Sequence, residues 1–156
     1  MDPLTIATNA FSSAKALYSV GKTLYDEIES YRQQSKTIER FCDSINSLCI
    51  LLQSIKDFVA QQINIRYESE WANIRMLLET SLRTCHTCTD ELIGSVSKLE
   101  KHGNSFLRQV KLRFMETNLD KQEKEIDRQM IRLSITFALF QYSIQCFQQW
   151  SKSDAF

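Results

Sequence analysis

The stretch KEIDRQMIRLSITFALFQYSIQCFQQW, residues 124–150, decides the fold class. Its apolar residues Ile126, Met130, Leu133, Phe137, Phe140, Ile144 and Phe147 follow one another at alternating steps of four and three. That spacing marks one face of an α-helix, since a half-buried strand would alternate every second residue. No glycine or proline interrupts it, and the predicted helix spans about Asn118 to Trp150. Upstream, Asp120–Arg128 interleaves acidic and basic residues, which reads as a solvated face with i,i+4 ion pairs. Before that, residues 105–116 (SFLRQVKLRFME) read as a shorter amphipathic helix of their own.

The same period recurs toward the N-terminus. Trp71, Ile74, Leu78, Leu82, Cys85, Cys88 or Thr89, Leu92, Val96 and Leu99 form a third seam. Gly103-Asn104 ends it, with Lys98, Lys101 and His102 in the last turn, where cations suit the helix dipole. Ile38, Phe41, Ile45, Leu48, Leu52, Ile55 and Val59 form the second seam, which Ser35 can cap. A second row of Cys42, Cys49, Leu51 and Phe58 widens its apolar face and predicts deep burial. The first helix starts with Asp2 as N-cap and Pro3 at its first position. Its seam is read as Leu4, Ala7, Phe11, Ala14, Tyr18, Gly21, Tyr25, Ile28 and Tyr31. The phase continues through Gly21, which points to close approach of another helix at a place where a Cβ would be in the way.

Composition agrees. The 156 residues contain three glycines and one proline, too few for the corners of a β sandwich or the loops of a nucleotide-binding fold. Nineteen basic and nineteen acidic residues cancel, so no global field draws in nucleic acid. The expected architecture is all-α: an up-down four-helix bundle of long helices with one short extra helix before the last. The bundle should occupy residues 1–150, with 151–156 as a flexible tail.

Five cysteines, an odd number without framework spacing, point to a reducing compartment. No signal sequence is apparent, and the best candidate span, Leu133–Cys146, is 14 residues with two glutamines. A cytoplasmic protein is expected, with membrane contact through an amphipathic helix left open. Catalytic chemistry has no visible carrier: no P-loop, EF-hand or HExxH pattern occurs, and neither His86 nor His102 has a Ser, Cys or Asp at a recognisable spacing. Cys85-His86-Thr87-Cys88 lies mid-helix, away from the dipole that activates redox thiols, and lacks a second ligand pair for zinc. The expectation is therefore no enzyme, no cofactor, no metal and two core cysteines. Residues 98–113 hold Lys98, Lys101, Arg108, Lys111 and Arg113 against Glu100 alone. This basic amphipathic stretch reads either as a connecting helix packed on the bundle or as a surface for anionic lipid.

The opening MDPLTIATNAFSSAKALYSVGKTLYDEIES resembles the N-terminal domain of fungal STAND/NLR-type proteins, the HeLo-like group. Met1-Asp2-Pro3-Leu4-Thr5-Ile6-Ala7 fits the start of that family and Tyr25-Asp26 a later segment; Lys124–Arg128 and the apolar run to Gln145 look like its last helix. The resemblance implies a helical effector domain with a nucleotide-binding or amyloid-motif region downstream. It further implies homo-oligomerisation and membrane permeabilisation in incompatibility or immune cell death. Leu4, Ile6, Phe11 and Leu17 would then insert, with Lys101, Arg108, Lys111 and Arg113 on lipid headgroups. The competing expectation is a helical protein–protein interaction module without membrane activity.

Overall fold

A computed structural model describes residues 3–30, 36–61, 68–100 and 105–153. All four segments are helical: α1 (Pro3–Ser30), α2 (Lys36–Gln61), α3 (Glu68–Glu100) and α4 (Ser105–Ser153). No strand occurs among the described residues, and the fold is an all-α four-helix bundle. The proposed caps Asp2 and Ser35, Tyr31, and the Gly103-Asn104 corner with Lys101 and His102 lie outside the described residues. So do the side chains of Ile28, Trp71, Val96, Leu99 and Phe147.

The stretch expected as a short extra helix is instead the first turns of α4, a single helix of 49 residues, about 74 Å long at 1.5 Å per residue. No Gly or Pro occurs within it, and the buried row of its C-terminal half extends back through Leu119 to Met115 in the same phase. With no breaker and no loss of phase, nothing stops the helix between residues 116 and 118. At its other end it continues to Ser153, past the boundary expected at 150.

Helix directions follow from cross-helix pairs. Lys56 on α2 stands over the Phe11 ring of α1, Lys15 acts on Cys49, and Gly21 faces Cys42, so α1 and α2 are antiparallel. Gln122 and Gln129 of α4 reach Glu91 and Thr84 of α3, so α3 and α4 are antiparallel too. Arg40 acts on Glu123, and Phe58 meets Phe137 and Phe140, so α2 and α4 run parallel. Directions alternate along the chain, as in an up-down bundle. The neighbours do not follow chain order, however. Among the described residues α1 packs on α2 and α3, α4 packs on α2 and α3, and α2 and α3 stand diagonally opposite.

One core runs through the bundle. Every residue of the expected α2 seam is buried, together with Cys42 and Cys49, while Leu51 and Phe58 of the expected second row are only partly buried at the core's margin. In α1 the buried row is Ala7, Ala10, Ala14, Leu17, Gly21 and Leu24. The expected row shares Ala7, Ala14 and Gly21 with it, but Phe11, Tyr18 and Tyr25 sit only partly buried at its margin and Leu4 is exposed. The small row faces inward because Ala and Gly let the backbone of α1 approach its neighbours, which rings at those positions would prevent. In α3, Ser81 takes the core position that Leu82 was expected to hold.

Gly94 on α3 is exposed, and a Cβ there would meet nothing within 4 Å. Gly94→Ala should therefore act through helix propensity alone and stabilise the protein by about 0.5–1 kcal/mol. Urea unfolding at neutral pH measures it; a destabilised variant would show that the backbone of Gly94 has a contact this packing lacks.

Candidate interaction face on the fourth helix

The sequence-predicted site residues do not assemble into one surface. Ile6 and Leu17 are in the core, Phe11 is half-buried, and only Leu4 is exposed. Phe11 is held between two ammonium groups, Lys15 at 5.4 Å and Lys56 at 5.1 Å from its ring centroid, an arrangement that favours the ring at a wet margin. These four residues therefore form no exposed insertion face in this structure. Of the headgroup candidates, Arg113 is exposed, while Lys101 and the side chains of Arg108 and Lys111 lie outside the described residues. Gly21 is buried against α2, and a Cβ there would stand 3.2 Å from Cys42 Sγ and 3.7 Å from the Phe41 ring.

Four of the five cysteines are buried and none is in a disulfide. Burial pushes the Cys42 and Cys88 thiols up to about 11 and Cys85 to about 12, and raises Cys49 as well. Such thiols stay protonated at neutral pH and are poor nucleophiles and poor metal ligands. No group of three or more His, Cys, Asp or Glu able to hold a metal occurs among the described residues. An unfolded thiol titrates near 9, so between pH 9 and about 11 the unfolded state binds fewer protons than the folded one. Stability should then fall as pH rises through this window. At pH 7, in a chain dilute enough to be monomeric, a thiol reagent should modify Cys146 rapidly and the other four only as the protein opens; two or more fast equivalents would contradict the packing.

The fold does give His86 a partner that sequence spacing hid. Ser13 Oγ on α1 lies 2.9 Å from His86 Nε2 on α3. Both sit mid-helix, where backbone N–H groups are already bonded within the helix, so no oxyanion hole stands beside them. The pair ties α1 to α3 at the bundle surface. A second tie joins α3 to α4, where Gln129, buried in a core row, donates through Nε2 to Thr84 Oγ1 at 2.7 Å and to Glu125 Oε1 at 3.2 Å. A satisfied polar contact in an apolar row disfavours sliding of α4 along α3.

The least expected surface lies on α4, opposite its core row. Ile131, Ile135, Leu139 and Tyr142 are each more than half exposed, Cys146 is exposed, and Trp150 is 72% exposed. Steps of four, four, three, four and four place all six on one outer stripe. From Leu133 to Ser151 the sequence has no Asp, Glu, Lys or Arg, so no charge breaks this stripe below Arg132. Beside it, Met76 and Leu77 of α3 with Arg132, Leu139 and Phe140 of α4 line a groove of about 500 Å³. A hydrogen bond between Tyr142 and Cys146 raises the phenol and links two stripe residues. Sequence reading missed this face because it followed only the inward row. The signal was present: a helix apolar on two opposite sides needs cover on both.

A family model for the N-terminal part of the pigment biosynthesis cluster protein PigL matches residues 1–151. The chain belongs to the PigL N-terminal family. This fungal N-terminal domain family is related to the HeLo-like group that the opening residues resemble. Neither the curated proteins nor the solved structures contain a match to the chain. Within the PigL N-terminal family match lie α1, α2, α3 and the whole exposed stripe of α4. No helix among the described residues is long and apolar enough to cross a membrane.

Proposed function

We propose that this PigL N-terminal domain is a helical association module that acts as the N-terminal effector of a longer fungal protein. The exposed stripe on α4 carries this reading. Covering a continuous apolar helix face removes it from water at about 25 cal/mol per Å², and such faces mark interaction sites when they are contiguous. Helix-on-helix packing is the mode that fits a straight stripe of this spacing. Sedimentation velocity over a concentration series tests it. Association in the absence of lipid is the expected result; a chain monomeric throughout would count against the reading.

A second reading places the domain in an NLR-like receptor that oligomerises and permeabilises anionic membranes in programmed cell death. The HeLo-like relationship favours it. Insertion of α1 would require Ile6, Leu17 and Leu24 to leave the core, each at a cost of roughly 1.5–3 kcal/mol, so lipid would have to recover that loss. Dye release from anionic vesicles by the intact chain, growing with forced oligomerisation, would favour this reading over association alone.

A further inference from the structure

We infer that the partner of the α4 stripe is a second copy of this chain, packed antiparallel about a two-fold axis between Leu139 and Tyr142. The inference rests on the association reading above and specifies its geometry.

Three observations carry it. The first is spacing. An isologous interface requires each residue on one copy to meet a set residue on the other. The stripe reads four, four, three, four, four in either direction. Reversed upon itself it pairs Leu139 with Tyr142 at the centre, Ile135 with Cys146 next, and Ile131 with Trp150 at the ends. Each large residue meets another, and the small Cys146 side chain meets a branched one.

The second is charge. Lys121, Lys124 and Arg128 are exposed and continue the same outer face toward the N-terminus of α4. A parallel pair would set each of them beside its own copy, and like charges in register repel. Antiparallel pairing about this axis overlaps residues 131–150, whose one charge, Arg132, is set opposite the uncharged Gln149 of the other copy, and leaves Lys121 and Lys124 beyond the end of the partner's α4 at Ser153.

The third is area. The exposed parts of the six side chains with Met76 beside them amount to something on the order of 700 Å² per copy, close to the ~800 Å² per partner of a standard stable interface.

Cross-linking tests the geometry with the intact chain. In the antiparallel register residue 135 faces Cys146 of the other copy, whereas the two Cys146 residues are separated by eleven helical steps, about 16 Å, beyond the roughly 7 Å that a disulfide spans. Under mild oxidation I135C should form a disulfide-linked dimer, and I135C combined with C146S and the unaltered chain should not. L139R should sediment as a monomer with unchanged helicity, because its side chain points to solvent within one copy. Efficient Cys146–Cys146 linkage in the unaltered chain, or an L139R dimer, would overturn the proposal. A sedimenting dimer in which I135C fails to cross-link would overturn the two-fold arrangement while leaving the association reading in place. A monomer at all concentrations would overturn both.

Discussion

Phe41→Ala is expected to lower the stability of the domain by about 4 kcal/mol, the largest single effect we anticipate. Phe41 is fully buried, sits in the unbroken apolar row of α2, and packs its ring against the backbone of α1 at Gly21. Truncation loses the transfer free energy of the ring and leaves a cavity that two rigid helices can only partly close. For a chain of this length the melting temperature should drop by roughly 10 °C. Calorimetry with matched urea titrations measures both. A loss under about 1.5 kcal/mol would mean that α1 collapses onto α2, and that the spacing between them is set elsewhere.

Gly21→Leu should cost about 2–3 kcal/mol after allowing for the ~1 kcal/mol gained by removing a glycine from a helix interior. The added Cβ alone would stand 3.2 Å from Cys42 Sγ, tighter than ordinary van der Waals contact, and the rest of the leucine has to enter the space of the Phe41 ring. Gly21→Ala is the sensitive control: it adds only that Cβ, so helix propensity and crowding nearly cancel, within about 1 kcal/mol. Because both sites share one space, the combined variant Gly21→Leu with Phe41→Ala should be less destabilised than the sum of its parts by at least about 1 kcal/mol. Strict additivity would show that the two residues do not contact one another in solution.

The helical faces differed in how far they could be read in advance. The main seam of α2 was legible residue by residue because it consists of large side chains with polar residues between them, although Leu51 and Phe58 beside it are only partly buried. α1 was not, because its small residues fit two adjacent rows equally well. Ala7, Ala14 and Gly21 belong to both, and the choice between Phe11-Tyr18-Tyr25 and Ala10-Leu17-Leu24 depends on how near the neighbouring helices come. That choice turned Leu17 from an expected insertion residue into a core residue. The α4 stripe was readable in principle, since Ile131, Ile135, Leu139 and Tyr142 follow helical spacing as well as the inward row does. A pattern on its own does not say which of two apolar faces a single bundle will cover.

The sequence by itself determined that the chain is helical, where three of its helices run, and that Gly21 lies on an inward row. These depend on local period, on the near absence of glycine and proline, and on propensity, all of which act within a few turns. The tertiary structure alone decided the diagonal placement of α2 and α3, the Ser13–His86 and Gln129–Thr84 ties, and the face of α4 left exposed. Each of these joins or separates residues distant along the chain or chooses between faces of similar apolarity. Such choices are made by the joint packing of all four helices, where the close approach allowed by Ala and Gly on α1 outweighs the larger apolar area of the rings beside them.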